Sequence, residues 1–164
     1  MADTSEVDLY RDTPVRYLGY ANEVGEAFRA VVHANVVRAS YAVSGTYVLA
    51  DATSKARAES QLSDGRPVLT FVDSLIWQGL ASVAIPGFTI NRLCWGVGRL
   101  LKGYSHLFSS RTRSVMIIGS GLLAIPIIIK PIDHGVDVLM DKVVRPIENI
   151  KYFSDTDFKK VKKC

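Results

Sequence analysis

Residues 74–91, SLIWQGLASVAIPGFTIN, and 114–129, SVMIIGSGLLAIPIII, run for 18 and 16 positions without a charged side chain. What these two runs become decides the fold. At about 1.5 Å per residue, 18 helical residues reach about 27 Å, close to the ~30 Å hydrocarbon thickness of a bilayer. The shorter run suffices if Lys130 bends its stem outward and carries its ammonium to the interface. The competing reading is a soluble bundle with these helices buried. Buried helices of soluble proteins usually keep a polar stripe. Apart from Ser74 and Ser114 at their starts, only Gln78, Ser82, Thr89, Asn91 and Ser120 are polar here, scattered singly, which favours lipid.

A third stretch, 30–50, has 21 residues and one charge, Arg38. It is expected as a further span. A central Arg costs roughly 2.5–3.5 kcal/mol on insertion scales, so this span is the weakest of the three. Asn35, Arg38, Ala42 and Gly45 would share one helical face, which would have to point into a bundle. Ser40 and Ser44, four apart, would allow close approach of another helix.

Outside these runs the 164-residue chain is ordinary in composition. It is 48% apolar and 22% charged, with mean hydropathy +0.16 and net charge +4. One domain is expected from the length. The modest basic excess does not suggest nucleic-acid binding. Two cysteines make no disulfide framework, and three scattered histidines make no zinc site. The first residues, MADTSEVDLYRD, are acidic and lack an apolar core, so any membrane address is expected to be internal.

Asp12-Thr13-Pro14 reads as a helix start, with Pro14 at the first helical position. Tyr17, Tyr20, Val24, Ala27, Phe28 and Val31 then recur at helical spacing, with Arg16, Glu23, Glu26 and Arg29 on other faces. This predicts an amphipathic helix running into the 30–50 stretch. Residues 51–73 form a polar connector with a turn at Ser63-Asp64-Gly65 and Pro67. Residues 92–113 hold Arg92, Arg99, Lys102, Arg111 and Arg113, no acid, and interleaved Trp95, Tyr104 and Phe108. With Gly96, Gly98 and Gly103 in it, this stretch reads as a basic interfacial connector. It is expected to meet membrane lipid through anionic headgroups. Beyond Lys130, Pro131 is expected to end the third span. Asp133, Asp137 and Asp141 would line the solvated face of a C-terminal amphipathic helix. The chain closes on a basic tail at 151–164 whose Lys160 and Lys162 fit a lysine-based retrieval pattern.

The two uncharged runs also resemble each other. Ser74, Gly79, Ala84, Ile85 and Pro86 recur 40 residues later as Ser114, Gly119, Ala124, Ile125 and Pro126. Proline lacks an N–H, so Pro86 frees the carbonyl of Ser82 and Pro126 that of Leu122. In lipid each freed carbonyl needs a neighbour, so each kink is expected to face protein. Paired, proline-broken spans of opposite direction also suit a small channel or carrier, or a modulator of one.

DLYRDTPVRYLGYANEVGEAFR at 8–29, TYVLAD at 46–51, LASVAIPGFTINR at 80–92 and AIPIIIKPID at 124–133 resemble the mitochondrial fission process protein family. The resemblance implies a multi-pass protein of the mitochondrial inner membrane. It implies a role in mitochondrial division and inner-membrane integrity, linked to apoptosis through cell-death sensitivity when the protein is lost. It implies no catalytic, cofactor or metal residue. The residues agree: no glycine-rich phosphate loop follows a strand, and no nucleophile elbow occurs. The expectation is therefore an all-α, small helical membrane protein without enzymatic activity. It would have about three apolar spans (30–50, 74–91 and 114–130) between amphipathic N- and C-terminal helices, in a single domain over 1–164. Its partners would be anionic lipid and inner-membrane proteins not named by the sequence.

Overall fold

The structure is a computed structural model that describes residues 14–62 and 65–146. The basic tail at 151–164 and the Thr13 cap lie outside the described residues. Every described element is helical. A 3₁₀ helix, Pro14–Tyr20, leads into α1, Ala21–Phe28. A turn at 29–33 reverses the chain into α2, Ala34–Glu59. Then come α3, Pro67–Gln78, a π-helical segment, Gly79–Ala84, and α4, Ile85–Gly103, stacked end to end. A turn at 104–109 leads to α5, Ser110–Leu139, which continues through a π-helical segment, Met140–Val144.

Proline and serine place several of these boundaries. Pro14 opens the 3₁₀ helix and Pro67 opens α3, where the missing N–H is not needed. The Ser109 hydroxyl accepts from the Thr112 N–H at 3.2 Å and caps α5. Pro131 does not end the third apolar run, contrary to expectation. It lies inside α5, and the C-terminal amphipathic segment is the continuation of the same helix. The stretch 92–103 likewise continues α4 rather than forming a separate interfacial connector, which shrinks to the turn after Gly103. Helical hydrogen bonding across 92–103 outweighs the preference of Gly96 and Gly98 for looser backbone.

Among the described residues two segments are long and apolar enough to cross a membrane, not three: Pro67–Gly103 and Ser110–Val144. The expected span 30–50 fails for a physical reason. The turn at 29–33 removes its first residues from the helix, and only positions 39–50 of α2 separate Arg38 from Asp51. Those 12 residues cover about 18 Å, well short of ~30 Å. Arg38 points outward and donates to Asn35 Oδ1 at 3.3 Å rather than entering the bundle.

The α3–α4 rod and α5 form an antiparallel hairpin. At one end the Arg145 guanidinium bonds Asp73 at 2.9 Å, and Trp77 Nε1 donates to Asp137 at 2.7 Å. Toward the other end Cys94 packs on Gly121 and Gly98 on Ile117. This register has a consequence for the uncharged runs. Trp77 in the first run faces Asp137, beyond the second run. Ile117 in the second run faces Gly98, within the arginine-bearing part of α4. The two runs are therefore offset along the hairpin by roughly 12 residues, or about 18 Å.

The prolines differ as well. Pro86 is buried, and the π-helical segment precedes it. Pro126 and Pro131 are exposed in an uninterrupted α5, so the second kink does not face protein. The sequence repeat is thus not matched by equal environments.

Candidate functional site

The short helix α1 is wedged against α2, α4 and α5 and bonded to α2 and α4 through its side chains. Its buried residues are Asn22, Glu23, Gly25, Glu26 and Ala27. This inverts the expected amphipathic pattern. Tyr17, Val24 and Val31 are exposed, and both carboxylates face inward.

Glu26 is the hub. Its Oε2 accepts from Arg29 Nε at 2.6 Å and from Asn91 Nδ2, on α4, at 2.8 Å. Its Oε1 accepts from the Tyr41 hydroxyl, on α2, at 3.0 Å. Burial alone would raise the Glu26 carboxyl, but the bonds from Arg29, Asn91 and Tyr41 outweigh it. Its pKa falls below the usual carboxylate value. Burial, and donation to this carboxylate, push the Tyr41 hydroxyl up to about 12.

One turn earlier Asn22 stitches α1 to the proline break. Its Nδ2 donates to the carbonyl of Val83 at 3.1 Å, and its Oδ1 accepts from the Ser44 hydroxyl at 2.9 Å. A carbonyl in the π-helical segment is thus satisfied by a side chain, one residue after the Ser82 carbonyl that proline chemistry points to. Gly87 makes this meeting possible. A Cβ there would sit 2.5 Å from the Tyr41 oxygen and 3.1 Å from Asn22 Nδ2. Gly121 plays the same part on α5, where a Cβ would lie 2.8 Å from Cys94 Sγ and 3.2 Å from the Ala27 Cα. Ser40 and Ser44 face α1, as their spacing predicts.

Glu23 contrasts with its neighbours. It is 1% exposed, and neither of its carboxylate oxygens has a hydrogen-bond partner among the described residues. Burial raises its pKa to about 7.

Beside the hub an open cavity of about 760 Å³ lies between the end of α1, α4 and the start of α5. Cys94, Trp95, Gly98 and Ile117 line its apolar part, and Arg29, Arg99 and Lys102 its charged part. The structure therefore brings two of the five expected basic residues, Arg99 and Lys102, into one site and adds Arg29. Arg92 lies outside it, 5.2 Å above the Phe88 ring. Arg111 and Arg113 stand in the first turn of α5, outside the cavity lining. None of the five has an ion-pair partner among the described residues. Arg99 lies 5.2 Å above the Trp95 ring. Among the described residues no three His, Cys, Asp or Glu side chains converge as metal ligands.

Asn22, Glu26, Tyr41 and Asn91 did not stand out as site residues in the sequence. The available signal was the i, i+4 spacing of Asn22 and Glu26 within NEVGE, together with a lone Asn91 at the edge of an uncharged run.

The family described as mitochondrial 18 kDa protein matches residues 9–69 and 52–140. Curated relatives named mitochondrial fission process protein 1 match most of the chain. The Homo sapiens protein is 49% identical over 149 residues, covering 87% of this chain and 89% of its own. The Danio rerio protein is 48% identical over 161 residues, covering 89% and 93%. The Caenorhabditis elegans protein is 44% identical over 149 residues, covering 87% and 89%. No solved structure matches. The blocks that carried the resemblance include the buried seam of α1 and the proline break it bonds, and the chain belongs to the mitochondrial 18 kDa protein family.

Proposed function

We propose that this protein acts in mitochondrial division as a non-enzymatic, multi-pass protein of the inner membrane. Its α3–α5 hairpin would lie in the lipid, and its basic end would engage anionic headgroups and protein partners. The observation that carries the membrane reading is an inverted distribution of polarity. The apolar windows of the two long segments are only 11% and 6% buried, whereas a soluble protein would hide such helices in its core. Phe88, Leu100, Leu123 and Ile127 are exposed, while Asn22, Glu23, Glu26, Asp51 and Gln78 are buried. Division as the process rests on the relatives' names. Inner-membrane integrity and a link to apoptosis follow from the same resemblance, because a protein that shapes the inner membrane also governs what it retains.

In cells lacking this protein, mitochondria should fuse into elongated networks. Re-expression should restore division, and the protein should resist extraction by alkaline carbonate. A normal network in the null cells would overturn the division reading. Release of the intact chain by carbonate would overturn the membrane reading.

A polar cavity of about 380 Å³ beside the π-helical segment favours a second reading, a small carrier or a modulator of one. Arg16, Asp51, Lys55, Gln78, Ser82 and Asp133 line it. Solute flux through reconstituted vesicles that falls in Pro86→Ala would support that reading, and absence of flux under any imposed gradient would remove it.

A further inference from the structure

We infer that the 760 Å³ cavity between α1, α4 and α5 is a binding site for a single phospholipid whose head carries two negative charges. The inference deepens the membrane reading above and rests on it. Three cations from two separate elements line this one cavity: Arg29 from the end of α1, and Arg99 and Lys102 from α4. The carboxylate among them, Glu26, is held by both nitrogens of Arg29, so that pair is neutral and Arg99 and Lys102 are the cations left for an incoming anion. Three cations and one carboxylate leave a formal charge of +2. A dianionic head is therefore matched, and a monoanionic one leaves a cation unpaired.

The lower wall explains why the ligand is a lipid rather than free phosphate. Cys94, Trp95, Gly98 and Ile117 offer no charged side chain to a small hydrated ion, but their mostly apolar surface suits acyl methylenes. The missing side chain at Gly98 leaves Ile117 in reach of the α4 backbone, and the hollow opens beside them. Arg99, set over the Trp95 ring, is positioned at the boundary between the charged and apolar walls.

Trp95 also supplies the reporter. The chain has two tryptophans, and Trp77 is bonded to Asp137 at the other end of the hairpin. The full chain carrying Trp77→Phe is reconstituted in phosphatidylcholine vesicles and titrated with short-chain phosphatidate, phosphatidylglycerol or inorganic phosphate. Trp95 emission should shift saturably with phosphatidate, more weakly with phosphatidylglycerol and not with inorganic phosphate. Removing both cations by R99Q/K102Q should weaken phosphatidate binding by about tenfold or more. R38Q/R57Q removes the same charge from α2, outside the cavity, and should change binding by less than about twofold.

Equal losses in the two double variants would mean diffuse adsorption to a charged surface and overturn the site. Saturation by inorganic phosphate alone would overturn the lipid as ligand. A vesicle-bound chain with no saturable, phosphatidate-selective shift would overturn the proposal while leaving the membrane reading intact. A chain that fails to sediment with vesicles would overturn both.

Discussion

Helix α1 and helix α5 distribute polarity in opposite ways. In α1, eight residues long, the buried face is Asn22, Glu23 and Glu26, and Val24 is exposed. In α5, thirty residues long, only Gly121 and Val136 are buried, and Leu123 and Ile127 are each 72% exposed. A water-soluble protein loses stability on both counts, because it leaves apolar area wet and buries polar groups. A protein solvated by lipid gains on both: the hydrocarbon accepts α5, and the polar groups of α1 find partners only inside. If the hairpin lies in lipid as proposed, hydrogen bonds and close backbone approach hold α1 to its neighbours more than the hydrophobic effect does.

The comparison breaks most completely at its hub. Glu26→Ala leaves Arg29, Tyr41 and Asn91 without their acceptor, and should cost about 3–5 kcal/mol in nanodisc unfolding. If the loss is under ~1 kcal/mol, the polar seam is not what holds α1 in place.

The exposed side is probed by Leu123→Asp. Aspartate near the middle of a lipid-facing helix should cost roughly 2.5–3.5 kcal/mol of insertion and shift the chain into the carbonate-soluble fraction. In a soluble bundle the same exposed position would accept the charge, so unchanged carbonate resistance would contradict the contrast between the helices.

Glu23 sharpens the comparison through pH. Below the ordinary carboxylate range Glu23 is protonated in both folded and unfolded chains, and Glu23→Gln should match the parent. As pH rises toward about 7, the unfolded chain ionises while burial keeps the folded carboxyl protonated. The parent therefore loses stability that the Gln variant keeps, with an advantage of roughly 1–3 kcal/mol that levels off above that pH. Glu26, held below its ordinary value, behaves oppositely: its contribution is lost as pH falls. The stability difference between parent and variant, followed by thermal melts from about pH 3 to about pH 8, should fall with rising pH for Glu23→Gln and grow with rising pH for Glu26→Ala. Parallel slopes would mean that the two carboxylates share one environment.

The smallest effect is expected at the far end of the hairpin. Arg145 pairs with Asp73 and Asp141, but the arginine is 40% exposed, so Arg145→Ala should cost about 1 kcal/mol or less. A loss as large as that of Glu26→Ala would show that exposed ion pairs, and not the buried seam, hold the helices together.

Much of the architecture was legible because charge-free length is a one-dimensional property. The runs at 74–91 and 114–129 marked the two long segments, and Ser40 with Ser44 marked a face that another helix approaches, whereas Pro67, read as part of a turn in a connector, opens α3. The 30–50 stretch misled because a window average does not register the reversal at 29–33 or the shortness of the uncharged part of α2. Glycines argued against a rigid spanning helix over 92–103, yet the backbone stays helical there and carries Arg99 and Lys102 onto one cavity.

The sequence by itself determined that this chain is helical, that two of its segments suit an oily solvent, and to which family it belongs. Local composition and literal blocks of residues are enough for that. Only the tertiary structure decided which groups meet. Glu26, Tyr41 and Asn91 come from three helices, and Arg29 and Arg99, 70 positions apart in the chain, line one cavity. It also decided the 18 Å offset of the two uncharged runs, because antiparallel register is set by contacts such as Trp77 with Asp137 rather than by any property of one helix alone.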